Sequence, residues 1–382
     1  MVAITLPDGR AAGVLTESGE APPVELTPVD DAVPADAALR MLREGEALLW
    51  TGDFQNGRNL LAALKRRLMG SATPPTAGSL ADRWRESREQ TSRRAELLGG
   101  LLVVIEDDGE VQSRRAPETR EAVELAWGPS AGPRLVSLNN LVGALSAAEW
   151  TRRGMEVQGL EGRLIPRYGV FSPTRSAYVD LARRLNVSGK AVLDVGCGTG
   201  VLAFVLLQSG ARSAVGTDQD PRAVECAADN AARLGLRDRF EAREADLFPE
   251  GQRADLIIFN APWMPEAPKT RLDRTVFDED GATLERFIAG VPAHLEPGGQ
   301  AALILSDLPE RLGLRDAGAV EAMATRCGLP LARIHDVPAR HGKARETSDP
   351  LHVARYGERI RMLVLIPESP GGPEVDPEPK SD

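Results

Sequence analysis

The sequence predicts an α/β protein: an open, mostly parallel sheet with helices on both faces, preceded by a smaller α+β accessory region. Three observations carry this expectation. From Lys190 to Ser306, short apolar runs alternate with amphipathic segments at the spacing of strand–helix units. The first of these runs ends in a glycine-rich turn, "VLDVGCGTG" at Val192–Gly200, where an open parallel sheet opens its ligand crevice. Before Leu160 the texture is irregular, and no second glycine-rich turn of this kind occurs.

In chain order, the first fifty residues are acidic and proline-dotted and read as small strands and loops or as partly disordered chain. "DAALRMLREGEALLWTGDFQNGRNLLAALKRRL" places apolar residues at helical spacing in two segments. "GSATPPTAGS" is a linker by composition, and "LADRWRESREQTSRRAELLGG" a helix closed by glycine. "LLVVIEDDGEVQ" reads as strand, turn and strand. "GLEGRLIPRYGVFSP" reads as a hairpin leading into a helix at "PTRSAYVDLARRL". Then come the strand "KAVLDVG", the helix "GVLAFVLLQSG", the strand "SAVGTD" and the helix "DPRAVECAADNAARLGL". The strands "RFEAREAD" and "ADLIIFN", the helix "GATLERFIAGVPAHL" and the strand "GGQAALILS" follow. "GLPLARIHDVPA" and "YGERIRMLVLIP" supply two late strands that suit an antiparallel edge. These readings divide the chain into residues 1–158, residues 159–367 and a polar, proline-rich tail at 368–382 expected to be disordered.

Composition narrows the class. A chain of 382 residues is long for one domain, and 42% hydrophobic with 27% charged residues is the balance of a globular protein. The net charge of −10 argues against a surface built throughout for phosphate. The basic excess from Arg58 to Arg94 is read either as a solvated helical face or as a docking patch for RNA or an acidic protein. Cys197, Cys226 and Cys327 form neither a disulfide framework nor a zinc pattern, so a reducing, cytoplasmic setting is expected. "MVAITLPDGR" lacks the pattern of a signal peptide, and no run approaches the roughly 20 apolar residues of a membrane helix. His335, His341 and His352 are irregularly spaced and suit a base or substrate contact better than a metal, and no metal is expected.

The glycine turn has the order D-x-G-x-G-x-G, from Asp194 through Gly196, Gly198 and Gly200. Alternate glycines let a ligand touch backbone. A dinucleotide site spaces its glycines as G-x-G-x-x-G and presents helix amides to pyrophosphate. Here a carboxylate ends the strand, which would repel phosphate and suits a cationic amine. Asp218 ends the second strand, where a carboxylate accepts from ribose hydroxyls. Asp220 fits better as the cap of the helix that starts at Pro221. Asp246 and Leu247 follow the third strand.

From about Phe171 to Ser306 this pattern resembles the class I methyltransferases that use S-adenosylmethionine (SAM). The resemblance implies a seven-stranded Rossmann-like sheet and SAM as cofactor. Asp194, Gly196, Gly198 and Gly200 would surround its methionine part, Asp218 would bind its ribose and Asp246 with Leu247 its adenine, and Cys197 and Gln219 are further cofactor-binding candidates. Phe171 and Thr174, ahead of the first helix, become pocket candidates. The fourth strand ends in "NAPW", Asn260–Ala261–Pro262–Trp263, which resembles the N-P-P-[YFW] motif of enzymes that methylate amide or exocyclic amine nitrogen. Those include the release-factor glutamine methyltransferases and the small-domain methyltransferases of RNA guanine. The resemblance implies that the Asn260 side-chain oxygen and the carbonyl of Ala261 accept the two hydrogens of a planar nitrogen, that Pro262 stiffens the turn and that Trp263 stacks on the substrate. Ala261 departs from the motif's proline; the carbonyl survives the change while rigidity is lost.

After the motif, "MPEAPKTRLDRTVFDEDG" is a long loop with Lys269, Arg271 and Arg274, which suits either solvent or an anionic substrate. Three functions stay open at this point: nitrogen methylation of RNA or protein, methylation of a small metabolite, and SAM binding without catalysis.

Overall fold

The computed structural model describes residues 2–16, 25–70, 78–129, 132–174, 176–270, 272–339, 346 and 349–368. Residues 71–77 of the expected linker at Gly70–Ser79, His341, Arg271 and nearly all of the 368–382 tail lie outside these residues.

The N-terminal half carries a six-stranded mixed sheet. Its elements are β1 (Ala3–Thr5), β2 (Ala11–Val14), β3 (Leu26–Val29), α1 (Ala35–Arg43), β4 (Ala47–Trp50) and α2 (Phe54–Gly70), then α3 (Leu80–Gly99), β5 (Leu101–Ile105), α4 (Arg120–Trp127), β6 (Arg134–Ser137) and α5 (Leu138–Arg153). The strand order is β1-β2-β6-β5-β4-β3, with β3, β4 and β5 mutually parallel and joined through helices. One face packs α1, α2 and α5 through Leu39, Leu42, Leu64, Leu138 and Leu141. The sequence after β5 reads as a second strand, but none forms. The chain turns at Gly109, and the Glu110 carboxylate then accepts the Thr119 amide at 2.9 Å and the Arg120 amide at 3.3 Å. Capping the start of α4 takes precedence over pairing with β5.

A short hairpin, β7 (Met155–Glu156) and β8 (Arg163–Leu164), straddles the expected boundary at 158/159 and sends Val157, Leu160 and Leu164 into the C-terminal core. The helix expected from Pro173 begins at Ala177 as α6 (Ala177–Ala182). The residues before it form a turn in which the Thr174 amide donates to the Ser172 carbonyl.

The C-terminal half continues with β9 (Ala191–Val195), α7 (Val201–Gln208), β10 (Ser213–Asp218), α8 (Pro221–Arg233), β11 (Phe240–Glu244), β12 (Ala254–Asn260), α9 (Ala282–His294) and β13 (Leu295–Ser306). It closes with α10 (Leu308–Leu312), α11 (Ala319–Arg326), β14 (Leu331–Pro338), α12 (His352–Tyr356) and β15 (Arg359–Leu365). Seven strands pair in the order β11-β10-β9-β12-β13-β15-β14. The first five in that order run parallel, and β15 is antiparallel to both neighbours. This is the Rossmann-like arrangement expected, with the late strands at the edge.

Period-two alternation divides the core. Val192, Leu256, Ile258, Ala302 and Ile304 face α6, α7 and α8, while Leu193, Val195, Ile257, Phe259, Leu303 and Leu305 face α9 and α11. Helix α7 is buried on nearly every side, Val201 through Leu207, which explains why its sequence has no polar face. Because β9 sits between β10 and β12, the connections diverge at its carboxyl end and leave a crevice there.

Candidate active site

Strand register builds the site. Asp194 pairs with Gly216 on β10 and with Ile258 on β12. The next rung, the last of both ladders, sets Val195 level with Thr217 on one side and Phe259 on the other, so Asp218 and Asn260 follow directly on either side of β9. At normal strand spacing those two side chains start about 10 Å apart, astride the glycine turn. A cavity of about 1170 Å³ opens there, lined among others by Asp194, Gly196, Gly198, Asp218, Leu247 and Asn260.

The turn itself is held by backbone and by one acid. The Cys197 amide donates to the Thr217 carbonyl at 2.8 Å, and the Gly198 amide donates to Oδ2 of Asp218 at 3.0 Å. Asp218 thus ties the turn to β10 while its other oxygen accepts the Asp220 amide at 3.0 Å. Burial pushes its carboxyl above the ordinary range. Asp220 caps α8 by accepting the Arg222 amide at 3.0 Å, as its position ahead of Pro221 implies. The glycines divide into two roles. Gly200 has φ +83°, and a Cβ there would lie 2.3 Å from the Phe204 ring, so it is required for the turn. Gly198, at φ +54°, lines the cavity, and a Cβ on it would meet nothing within 4 Å. Its missing side chain leaves room for a ligand.

Asp194 shares the face of β9 that meets α7, and its Oδ2 accepts the Ala203 amide at 3.0 Å. It thereby satisfies one of the free amides at the helix start. It is 1% exposed, and burial pushes its pKa up to about 7, opposed by the Ala203 hydrogen bond and reinforced by the nearby charge of Asp218. A carboxylate so placed accommodates a cation far better than an anion. Near it, the Tyr178 hydroxyl on α6 is buried, lines the cavity and has no hydrogen-bond partner; burial and then the Asp194 charge raise its pKa. An unsatisfied buried hydroxyl is costly, and a polar ligand group would relieve it.

The remaining expected residues are distributed unevenly. Phe171, Cys197, Gln219, Asp246 and Leu247 line the cavity. Asp246 is paired with Arg286 of α9 at 2.5 Å, so a ligand group would have to share it. Leu247 has φ +69°, and its carbonyl accepts the Thr217 hydroxyl at 2.7 Å, which fixes the strained turn. Thr174 is exposed and is not among the lining residues, nor is Gly200. Pro262 lines the cavity beside Asn260, whereas Ala261 and Trp263 do not. Ala261 is 2% exposed, and the Trp263 ring packs between the sheet core and the cluster around Met264, Leu308 and Leu351. The placement differs from the expected substrate-stacking one: the turn directs the Trp263 backbone to Val276, its amide donating to that carbonyl at 2.9 Å, and the partly buried ring packs against the two clusters. Ala261 has an N–H that proline lacks, and it donates to the Ile304 carbonyl at 3.1 Å. The substitution therefore extends the β12–β13 ladder and restores stiffness by another route.

Two contributors escaped the sequence reading. Asn230 on α8 is fully buried; its amide donates to the Thr199 carbonyl at 3.2 Å and the Ile165 carbonyl at 3.1 Å, tying the glycine turn to the segment after β8. Tyr178 lies within the helix expected at "PTRSAYVDLARRL", where the sequence reading gives it no role. The signals were weak: one buried amide in an alanine-rich helix, and one of only 3 tyrosines in the chain. His335 lies on β14 and His352 on α12. Among the described residues no group of three His, Cys, Asp or Glu is placed to hold a metal ion, and no helix is long and apolar enough to cross a membrane.

A seven-stranded sheet of this order, with acids ending β9 and β10 around a glycine turn, defines a class I SAM-dependent methyltransferase. The family model described as ribosomal protein L11 methyltransferase (PrmA) matches residues 173–261. A Methanocaldococcus jannaschii protein that carries the name "Putative protein N5-glutamine methyltransferase" is 32% identical over 161 residues, which is 40% of this chain and 80% of that one. The release factor glutamine methyltransferase of Cereibacter sphaeroides is 38% identical over 176 residues, 43% of this chain and 60% of the relative. The ribosomal protein L11 methyltransferase of Escherichia coli is 41% identical over 88 residues, 23% of this chain and 30% of the relative. The chain therefore spans most of the archaeal relative and less than two thirds of the two bacterial ones. It belongs to the SAM-dependent methyltransferase family of the protein N5-glutamine methyltransferases.

The raised Asp194 pKa has a direct consequence. A group whose folded pKa is raised stabilises the ligand-free protein at low pH and loses that contribution as pH rises from about 4 towards its folded value. A bound ammonium reverses the preference. Affinity for S-adenosylhomocysteine, measured calorimetrically, is expected to rise with pH up to about 7, by at most about tenfold per unit, and to flatten in Asp194→Asn.

Proposed function

We propose that the cavity binds SAM across the carboxyl ends of β9, β10 and β11 and presents it to a side-chain amide nitrogen of a protein held at Asn260. The observation that carries this reading is the register that ends β10 at Asp218 and β12 at Asn260 on opposite sides of β9, with both residues lining one cavity. Its volume of about 1170 Å³ exceeds what one drug-sized ligand requires, which supports a two-ligand site. The names of the relatives, which methylate glutamine or ribosomal protein L11, support a protein acceptor.

The residues fit the cofactor. Gly196 and Gly198 leave open backbone, Asp194 offers a buried acid to an ammonium, and Asp218 offers oxygen to ribose hydroxyls. Tyr178 offers an unsatisfied donor to the amino-acid end. SAM, when bound, supplies an electrophilic methyl on a sulfonium. The chain's task is then positional. An amide nitrogen holds its lone pair in resonance, so it must be oriented closely and in line. Asn260 Oδ1 accepts one N–H, and the carbonyl of Ala261, a residue whose own amide is anchored to Ile304, accepts the other. With both hydrogens held, the lone pair is directed towards the methyl, and the proton is released after transfer. Pro262 stiffens the wall of the site. We further assign residues 1–158 as an accessory region, residues 159–367 as catalytic and the setting as cytoplasmic, the last supported by three cysteines that remain thiols.

Asn260→Ala is expected to lower the rate of labelled methyl transfer into the protein fraction of a lysate by about 100-fold, the scale of losing orientation, with S-adenosylhomocysteine binding within about threefold of wild type. Transfer near the wild-type rate would remove Asn260 from the mechanism. Tyr178→Phe is expected to weaken S-adenosylhomocysteine by about tenfold or more, the scale of one hydrogen bond to a charged group. Methylthioadenosine, which lacks the amino-acid end, should bind the variant as it binds wild type. Equal losses for both ligands would mean that Tyr178 acts through the fold.

A further inference from the structure

Helix α3 belongs to the N-terminal half by sequence, yet it serves two halves. Its C-terminal Leu97 and Leu98 pack against the N-terminal core. Its N-terminal Leu80 and Trp84 pack with Met264, Leu308 and Leu351 of the C-terminal half. The helix is 20 residues long, about 30 Å, and starts at a capping box in which Ser79 and Asp82 satisfy each other's amides. Such a helix is a rigid strut with few buried residues of its own.

The strut ends on the loop that follows the Asn260 turn. Arg88 Nη1 donates to Glu266 Oε2 at 2.8 Å, and its Nη2 donates to the Ala267 carbonyl. The same guanidinium lies 3.8 Å from Asp273 Oδ2 and stacks 3.6 Å above the centroid of the Phe277 ring. Trp84 Nε1 donates to Glu266 Oε2 at 3.2 Å. The side chains of Arg88 and Glu266 are only 13% and 16% exposed, so this pair is screened far less than a surface ion pair. Asp273 in turn accepts the amides of Lys269 at 3.0 Å and Thr270 at 3.3 Å, shaping the tip of the loop. Lys269, Thr270, Arg274 and Phe277 line the cavity beyond Asn260.

We infer that Arg88 is a positioning residue for the methyl acceptor: from the N-terminal half it clamps the 264–278 loop, and the loop forms the acceptor wall of the cavity. The inference rests on the reading of Asn260 as the acceptor end of the site. One guanidinium joins a carboxylate, a backbone carbonyl and an aromatic face, which lysine could not do in this geometry. The basic segment between Arg58 and Arg94 then acts partly inside the molecule: Arg88 is committed to the loop, and Arg85 lies 3.7 Å from Glu266. The N-terminal half is a component of the acceptor site, and acceptor choice depends on how α3 holds the loop.

The test is hydrogen–deuterium exchange on the full chain, without ligand and with S-adenosylhomocysteine, comparing wild type, Arg88→Ala and Arg88→Met. The methionine variant keeps apolar contact with Phe277 and removes the charge, which guards against a folding failure of the alanine variant. Amides of Met264, Phe277 and Asp278 are expected to exchange about tenfold faster or more in both variants, while amides of β9 through β13 and S-adenosylhomocysteine affinity stay at wild-type values. In methyl transfer to graded amounts of lysate protein, the half-saturating amount should rise about tenfold, with the saturated rate and the half-saturating SAM concentration within about threefold of wild type. Unchanged loop exchange, or cofactor affinity falling together with acceptor affinity, would overturn the inference. If wild type itself failed to bind S-adenosylhomocysteine, the functional reading would fail, while the exchange comparison would still decide the clamp.

Discussion

The pairing of β9 between β10 and β12 is the constraint on which the rest depends. Side chains alternate faces along a strand, so a slip of one residue would turn Asp194 away from α7 and exchange the two apolar cores. In the observed register Asp194 caps α7, Asp218 holds the glycine turn and Asn260 stands on the far side of it. The two cores fix that register because Val192 and Leu193 insert into opposite layers, as do Ile257 and Ile258. Site geometry is therefore set by core packing, and its precision comes from rigid elements.

The site also carries a cost that the fold holds in place. Asp194 is buried close enough to Asp218 to feel its charge, and Tyr178 is buried without a partner. A core designed for stability alone would not keep an acid whose ionisation is made so costly by burial, or a hydroxyl with nothing to bond. Both strains lie where a ligand with an ammonium and a carboxylate would relieve them. That is the sense in which ligand-free stability is given up at one place so that binding can recover it.

Much of the architecture was legible because buried parallel strands read as continuous apolar runs and because glycines mark the turn. "ADLIIFN" and "KAVLDVG" could hardly be other than central strands, and Asp220 ahead of Pro221 announced a helix cap. What the sequence concealed was contact across distance. Arg88 meets Glu266 178 residues away, Asn230 reaches Ile165 across 65, and Tyr178 meets its cavity only after α6 docks on the sheet. Trp263 misled for a related reason. The motif identified the turn, but tertiary packing with Met264 and Leu308 decided where the ring went. Ala261 shows the converse: a departure from the motif that looked like lost rigidity acquired a hydrogen bond to Ile304 that proline could not make.

In the proposed reaction the chain delivers a methyl to a planar side-chain amide of a protein. The most direct measurement is tandem mass spectrometry of lysate proteins incubated with the enzyme and trideuteromethyl-labelled SAM. The labelled methyl is expected on the side-chain nitrogen of glutamine. Label on lysine, on RNA bases or only in small molecules would contradict it.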